Sequence, residues 1–262
     1  MTPEARPRWP IWVSWLFPIL LIVLVIAGWE IAVRLRDTPR WFLPPPTAVL
    51  SALIDSRRAL LHHTVVTLEE VSLGFVVSFI LGVVFALAIA SSRVVERAFY
   101  PFVIASQAIP IIALAPILLI WFGYGMTPKV IVVALICFFP IVVNTVDGLR
   151  SVDPELIDLL RSMGASTWTT YRVVRLPSSL PYLFSGTRIA AAVSVIGALI
   201  GEWVGSSAGL GYYMIRSAGQ FATDKVFAAV LVSALLGLFL FGVVSLLERL
   251  LLPWQRVGVS GG

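Results

Sequence analysis

Six apolar runs, each about long enough to cross a bilayer as a helix, limit what this chain can become. A transmembrane helix needs about 20 mostly apolar residues. Runs of that order occupy Ser14–Val33, Val71–Ala90, Phe99–Trp121, Val130–Val146, Ser185–Val204 and Val226–Leu247. Hydrophobic residues fill 59% of the 262 positions and charged residues 13%, whereas a soluble domain carries roughly 25% charged residues. The expected fold is therefore an all-α integral membrane protein with six spanning helices, forming a single domain over residues 1–262. The third run contains Pro101, Pro110 and Pro116, each of which removes a backbone donor, so that span is expected to be the least regular.

The first run is too long for the apolar core of a signal peptide, and Trp29-Glu30 offers no small-residue cleavage site, so helix one is expected to stay. A single cysteine, Cys137, rules out an internal disulfide or a cysteine metal cluster and reads as a buried small hydrophobe. Orientation follows from Lys and Arg, which are retained on the cytoplasmic side of cell membranes. With both termini cytoplasmic, eleven of these residues fall inside, among them Arg6, Arg8, Arg150 and Arg256, and eight fall outside. Five of the eight crowd the first outer loop between Arg34 and Arg58. Lysine is nearly absent and the arginines are dispersed, which argues against nucleic-acid binding.

The first outer loop contains Leu43-Pro44-Pro45-Pro46-Thr47, then Val49, Leu50, Leu53 and Ile54 at helical spacing. This pattern predicts a turn into an amphipathic interfacial helix capped by Thr47. Gly74, Ser78 and Gly82, and likewise Gly197 and Gly201, are spaced for close helix approach inside a membrane.

Between the fourth and fifth runs lies a polar stretch with its own start and stop signals. Asp153 suits a helix cap, Pro154 the first helical position, and Glu155 and Asp158 place negative charge near the positive end of the helix dipole. Leu156, Leu159, Leu160 and Met163 recur at i, i+3, i+4 and i+7 as one apolar stripe, and Gly164 suits a left-handed C-terminal turn. Ser166 or Thr167 is placed to open a second short helix through Trp168, Tyr171 and Val174, which Pro177 and Pro181 are expected to end before the next span. A compact knuckle should project into the cytoplasm. Its stripe can pack under the chain's own membrane helices or meet a soluble partner, and composition leaves both open.

The spacing of this knuckle resembles the cytoplasmic signature of the membrane subunits of bacterial ABC importers: Glu-Ala-Ala, three residues, Gly, nine residues, Ile-x-Leu-Pro. The chain reads Asp158-Leu159-Leu160, three residues, Gly164, nine residues, Val174-Arg175-Leu176-Pro177. Asp stands for Glu, Leu-Leu for Ala-Ala and Val for Ile, so Gly164, Leu176 and Pro177 carry the match. Further motifs resemble the nitrate, sulfonate and taurine group: Leu43-Pro44-Pro45-Pro46-Thr47, Gly74-Phe75 with Gly82, Trp121-Phe122-Gly123-Tyr124-Gly125, and Ala208-Gly209-Leu210-Gly211-Tyr212. Gly201-Glu202-Trp203-Val204-Gly205 looks more like members that import pyrimidine precursors of thiamine, or riboflavin.

The resemblance implies the type I importer fold, with residues 153–177 as a coupling segment seated on a separate ATP-hydrolysing subunit. Asp158, Leu159, Leu160 and Gly164 would carry that contact. It also implies two ATPase subunits that bind ATP and Mg, an extracytoplasmic solute-binding protein, and no enzymatic activity or cofactor in this chain. Six helices enclose too little for a path, so two copies around a dyad are expected. The sequence agrees to this extent: it has no G-x-x-x-x-G-K-[ST] run, so energy must come from another chain or from a gradient.

Several polar residues are candidates for the path or its gate. Glu202 near the outer end of helix five either faces the interior or neutralises an arginine. Gln107 beside the prolines of helix three and Asn144 in helix four are similar candidates. Glu30 is expected to meet interfacial water or Arg34. The turn Gly209-Leu210-Gly211, followed by Tyr212, reads as a gate dipping into a vestibule or as a plain surface hairpin. Two other classes compete. Gly205-Ser206-Ser207-Ala208-Gly209 matches G-x-S-x-G, but Ser207 needs a base, and the only histidines, His62 and His63, lie beside the first loop. They also make a poor metal site. A gradient-driven transporter or channel would show inverted repeats or a filter sequence, and neither is evident.

Overall fold

The structure is a computed structural model that describes residues 11–253, with side chains from residue 16, so Arg6, Arg8 and Arg256 lie outside the described residues. The described chain folds into eleven α-helices and one π-helical turn. In order these are α1 (Ile11–Leu35), α2 (Pro46–Asp55), α3 (Arg57–Ser91), α4 (Arg93–Ser106), α5 (Ile111–Phe122), α6 (Met126–Arg150), α7 (Pro154–Ser162), α8 (Thr167–Thr170), the π-helical turn Tyr171–Arg175, α9 (Leu176–Gly205), α10 (Leu210–Gly219) and α11 (Thr223–Leu251). Helices α1, α3, α6, α9 and α11 are each long and apolar enough to cross a membrane. The pair α4 and α5, bent by 100°, is apolar enough only when the two helices are taken together, which gives five spans, or six with that pair. The break falls at Gln107–Pro110, where Pro110 has no N–H to carry the ladder forward. Pro101 and Pro116 sit inside their helices without breaking them.

Helix α6 is the centre of the bundle. Val133, Cys137, Ile141, Val142 and Val146 are fully buried along it, between α3 on one side and α9 on the other. Small residues make the approach possible. A Cβ on Gly74 would lie 2.5 Å from the Val133 side chain, and one on Gly82 would lie 2.8 Å from Ile141. On the α9 side Gly197 meets the Val133 backbone at 3.0 Å by the same measure. In a bilayer, where lipid tails are as apolar as leucine, such contacts depend on dispersion and so on close approach.

Helix α3 begins fourteen residues before the apolar run that marks it in the sequence. At 1.5 Å per residue its 35 residues span about 52 Å, well beyond the roughly 30 Å hydrocarbon core. The extra turns carry His62, His63, Thr67 and Glu70, which therefore belong to a bundle helix rather than to a loop. Helix α1, by contrast, stands apart, with Leu16–Ile26 exposed along its length. It is tied in only near its C-terminal end, where Trp29 packs on Phe227 at 5.6 Å between ring centroids. There Glu30 also binds Arg34 at 2.6 Å.

The same Glu30 corrects the expected Thr47 cap. Pro45 and Pro46 have no N–H, so Thr47 is the first residue of α2 with a donor to satisfy. Glu30 accepts that N–H at 3.1 Å and the Thr47 hydroxyl at 2.9 Å. The cap comes from α1, and the contact closes the first loop.

Candidate functional site

Two clusters occupy opposite ends of the bundle. The first is the knuckle between α6 and α9. Asp153 caps α7, its carboxylate accepting the Glu155 N–H at 2.9 Å, with Pro154 at the first helical position. Gly164 takes φ +82°, and the Ala165 N–H reaches back to the Leu160 carbonyl, the closure of a glycine-ended helix. Ser166 then caps α8 by accepting the Thr169 N–H at 3.1 Å.

Beyond α8 the structure departs from the expected stop. Pro177 and Pro181 end nothing: α8 passes through the π-helical turn directly into α9. The Leu176 N–H bonds the Tyr171 carbonyl, one residue further back than in an α-helix. That register shift leaves Pro177 in the first turn of α9, where a missing donor costs little. The second knuckle helix is therefore continuous with a membrane-spanning helix, with no loop between α8 and α9.

The stripe of α7 is open. Leu156, Leu159 and Met163 are 41%, 55% and 74% exposed, Trp168 beside them is 68% exposed, and α7 has no buried residue. Leu160 and Leu176 are half-buried, Pro177 and Gly164 exposed. Among the described residues Asp158 pairs only with its neighbour Arg161, at 3.3 Å. Of the four stripe residues, three are thus exposed and only Leu160 is partly covered by its own chain.

The second cluster lies at the other end, where α3, α6 and α10 begin and α9 ends. The first N–H groups of a helix have no partner within it, and in α10 three consecutive donors are taken by side chains. Gly209 N–H donates to His63 Nδ1 at 3.1 Å, Leu210 N–H to Thr67 Oγ1 at 2.9 Å, and Gly211 N–H to Glu202 Oε2. Thr67 in turn donates its hydroxyl to Glu202 Oε1 at 2.6 Å. A carboxylate at this position is further stabilised by the positive end of the α10 dipole. One turn along α3, Glu70 accepts from Lys129 of α6 at 2.6 Å, and the same ammonium donates to Ser206 at 2.7 Å. Thr67, Glu70 and Glu202 are at most 1% exposed and Lys129 is 9% exposed.

This arrangement explains two glycines. Gly209 takes φ +110°, and a Cβ there would land on the Glu202 carboxylate. A Cβ on Gly211 would come within 2.8 Å of the Leu199 carbonyl and 3.0 Å of Glu202 Oε2. Only bare backbone lets the α10 donors reach the carboxyl group.

Several sequence expectations are revised here. Glu202 pairs with no arginine among the described residues; it is buried, and its oxygens accept from Thr67 and from Gly211 at the start of α10. The Gly209-Leu210-Gly211 turn is hydrogen-bonded to His63 and Thr67 of α3 and to Glu202 of α9. Tyr212 is half-buried, 5.9 Å from the His63 ring, with its hydroxyl accepting from Arg216. Asn144 is half-buried between α6 and α9, donating to the Pro140 carbonyl at 2.8 Å. Gln107 is exposed at the α4–α5 break. His63 is in the cluster, not beside a loop, yet it is no base for Ser207, since its Nδ1 accepts from Gly209. Lys129 is committed to Glu70, so it does not activate Ser206 either.

Sequence reasoning flagged Glu202 and the glycine turn but missed His63, Thr67, Glu70 and Lys129. The available signal was that Glu70 and Lys129 each sit immediately before an apolar run, where an ionisable side chain needs a partner.

Comparison with known proteins adds an independent line. Residues 78–252 match the family described as binding-protein-dependent transport system inner membrane component. The chain is 41% identical over 240 residues to the formylaminopyrimidine transport permease protein of Halalkalibacterium halodurans, covering 91% of this chain and 96% of that one. It is 38% identical over 246 residues to the riboflavin transport system permease protein of Chloroflexus aurantiacus, covering 93% and 91%. With the taurine transport system permease protein of Escherichia coli the identity is 29% over 256 residues, covering 95% and 93%. Among solved structures, the fold is shared with a crystal structure of an amino acid ABC transporter with histidines, at a TM-score of 0.58 and 20% identity, over 75% of this chain and 96% of that one.

Proposed function

The chain belongs to the binding-protein-dependent transport system inner membrane component family and is an ABC transporter permease, and from that premise we propose that its knuckle is the docking surface for a separate ATPase. The observation that carries this reading is the α7 stripe, an apolar face outside the membrane-spanning segments whose Leu156, Leu159 and Met163 are exposed. Leu159 and Leu160 supply the apolar contact, Asp158 the charged edge and Gly164 the turn that sets the angle between α7 and α8. Leu176 and Pro177 lie where the knuckle becomes α9. ATP and Mg are bound by the partner, and closure of two such partners displaces α8 and α9 together.

The assembly has two copies of this chain around a dyad, two ATPases on the knuckle side and a solute-binding protein on the opposite face. Both termini are then cytoplasmic, and the latch formed by His63, Thr67 and Glu202 on α10 is at the outer end of the bundle. The solute is a small organic molecule, with an aminopyrimidine thiamine precursor or riboflavin ahead of a sulfonate, taurine or nitrate. Identities of 41% and 38% to permeases named for formylaminopyrimidine and riboflavin support that order. Of the six path candidates, Gln107 at the α4–α5 elbow stays exposed and is the one assigned to the path.

The test is gentle detergent purification from native membranes with mass spectrometry of stoichiometric partners, on wild type and Gly164→Pro. The expected partner is a P-loop ATPase, and Gly164→Pro is expected to reach the membrane yet transport nothing while ATP is still hydrolysed. Transport that survives Gly164→Pro defeats the coupling assignment.

A further inference from the structure

Helices α1 and α2 enclose a cavity that neither the knuckle nor the latch accounts for. Its volume is about 630 Å³, and its lining includes Arg34, Asp37, Thr38 and Arg40. Arg34 directs Nε and Nη2 at Glu30 Oε1, each at 2.6 Å, which neutralises its charge and leaves Nη1 over. The five ion pairs among the described residues include neither Asp37 nor Arg40, so the cavity presents one separated carboxylate and one separated guanidinium. Asp37 is a costly residue where it stands. It follows the last turn of α1, where the helix dipole presents its negative end, and it takes φ +45°, an angle that glycine or asparagine adopts more readily. A cation beside its carboxylate would offset both. The depth of the cavity points to the source of that cation. Val33 and Arg34, which line it, lie at the end of the apolar span Leu16–Leu35. Trp41 and Phe42, which follow Arg40 in the chain, are exposed, and such aromatic residues gather at the level of lipid headgroups. Leu35 is 80% exposed, and the exposed face of α1 leads from there into the bilayer.

We propose that this cavity binds the headgroup of a zwitterionic phospholipid that bears a primary ammonium, phosphatidylethanolamine. Arg40, Arg34 Nη1 and the Thr38 hydroxyl donate to the phosphodiester, whose two free oxygens match the planar fork of a guanidinium. The Asp37 carboxylate accepts from the ammonium and gains the cation that the end of α1 lacks. A purely anionic lipid leaves Asp37 unpaired, and a choline headgroup has no N–H to donate, so Asp37 and Arg40 together select for ethanolamine. The acyl chains lie along the exposed face of α1. A soluble zwitterion such as an aminosulfonate offers the same two charges, but the headgroup depth of the cavity and the apolar face leading from it favour the lipid. The bound lipid clamps α1, which its own chain holds only near Trp29 and Glu30, against α2. This assignment is independent of what docks at the knuckle.

The experiment is native mass spectrometry of the purified chain released from nanodiscs that contain equal parts of phosphatidylethanolamine, phosphatidylglycerol and phosphatidylcholine. Wild type is expected to retain the ethanolamine lipid in preference to the other two, a comparison that needs no variant. Asp37→Asn keeps a residue that accepts the left-handed angle but removes the charge, and the preference for ethanolamine over choline should fall about tenfold, the worth of one charge-assisted hydrogen bond. Arg40→Gln is expected to lose most retained lipid of every kind. Both variants should keep the wild-type thermal unfolding midpoint in lipid-free detergent, which separates lost binding from lost folding. Equal retention of the three lipids by wild type overturns the proposal, and so does an ethanolamine preference that survives Asp37→Asn. Free phosphoethanolamine that binds the delipidated wild-type chain as tightly as the lipid does would assign the cavity to a soluble zwitterion and overturn the lipid assignment.

Discussion

The two ends of this bundle invert the usual placement of polar and apolar groups. At the knuckle, leucines, a methionine and a tryptophan are exposed outside the spans. At the latch, two glutamates, a threonine and a lysine are buried. Each inversion has a cost that something must offset, and the compensation differs. The latch compensates internally, because the Gly209, Leu210 and Gly211 donors find side chains and Lys129 finds Glu70. The knuckle has little internal compensation, since no residue of α7 is buried and three of its four stripe residues are exposed. A closed set of hydrogen bonds marks a part that holds position, whereas an open apolar face marks one that waits for a partner.

That contrast can be broken by substitution. Lys129→Met removes the ammonium from a buried pair and should cost about 3–5 kcal/mol, read as a large fall in the thermal unfolding midpoint of the detergent-solubilised chain. Glu202→Leu leaves the Gly211 N–H without its acceptor and the Thr67 hydroxyl with only the His63 carbonyl at 3.1 Å, and should cost about 1–3 kcal/mol. Faster amide hydrogen exchange along Leu210–Gly219 would place that loss in α10. Gly209→Ala puts a methyl group against the Glu202 carboxylate at a backbone angle alanine disfavours, for a loss of about 1–3 kcal/mol. If any of these three leaves the midpoint unchanged, the latch is not what holds α10.

The knuckle should respond differently. Leu159→Ser alters an exposed side chain and should change stability by less than about 0.5 kcal/mol, yet it should reduce recovery of the ATPase partner on co-purification. A stability loss comparable with that of Glu202→Leu would mean the stripe is part of this chain's own packing.

The knuckle was legible in the sequence for the reason the latch was not. Its signals are local: Asp153, Pro154 and Gly164 fix the ends of α7, and the stripe repeats within two turns. The latch joins Thr67 to Glu202 across 135 positions and Lys129 to Glu70 across 59, distances at which one sequence carries no pairing information. Glu202 and the two glycines still stood out as unusual, but their partners lay in the turns of α3 that precede its apolar run. Pro177 misled in the opposite way. A local rule said the helix should stop, and the π-helical turn at Tyr171–Arg175 placed the proline in the first turn of α9 instead.

The most direct measurement is photo-crosslinking in native membranes from an ultraviolet-reactive amino acid at Leu159, with an equivalent probe at Trp203 near the latch end of α9 as the control. The account predicts that the Leu159 probe captures a P-loop ATPase and the Trp203 probe does not. Crosslinks from Leu159 only to lipid or to this chain's own membrane helices, in membranes where transport is active, would contradict it.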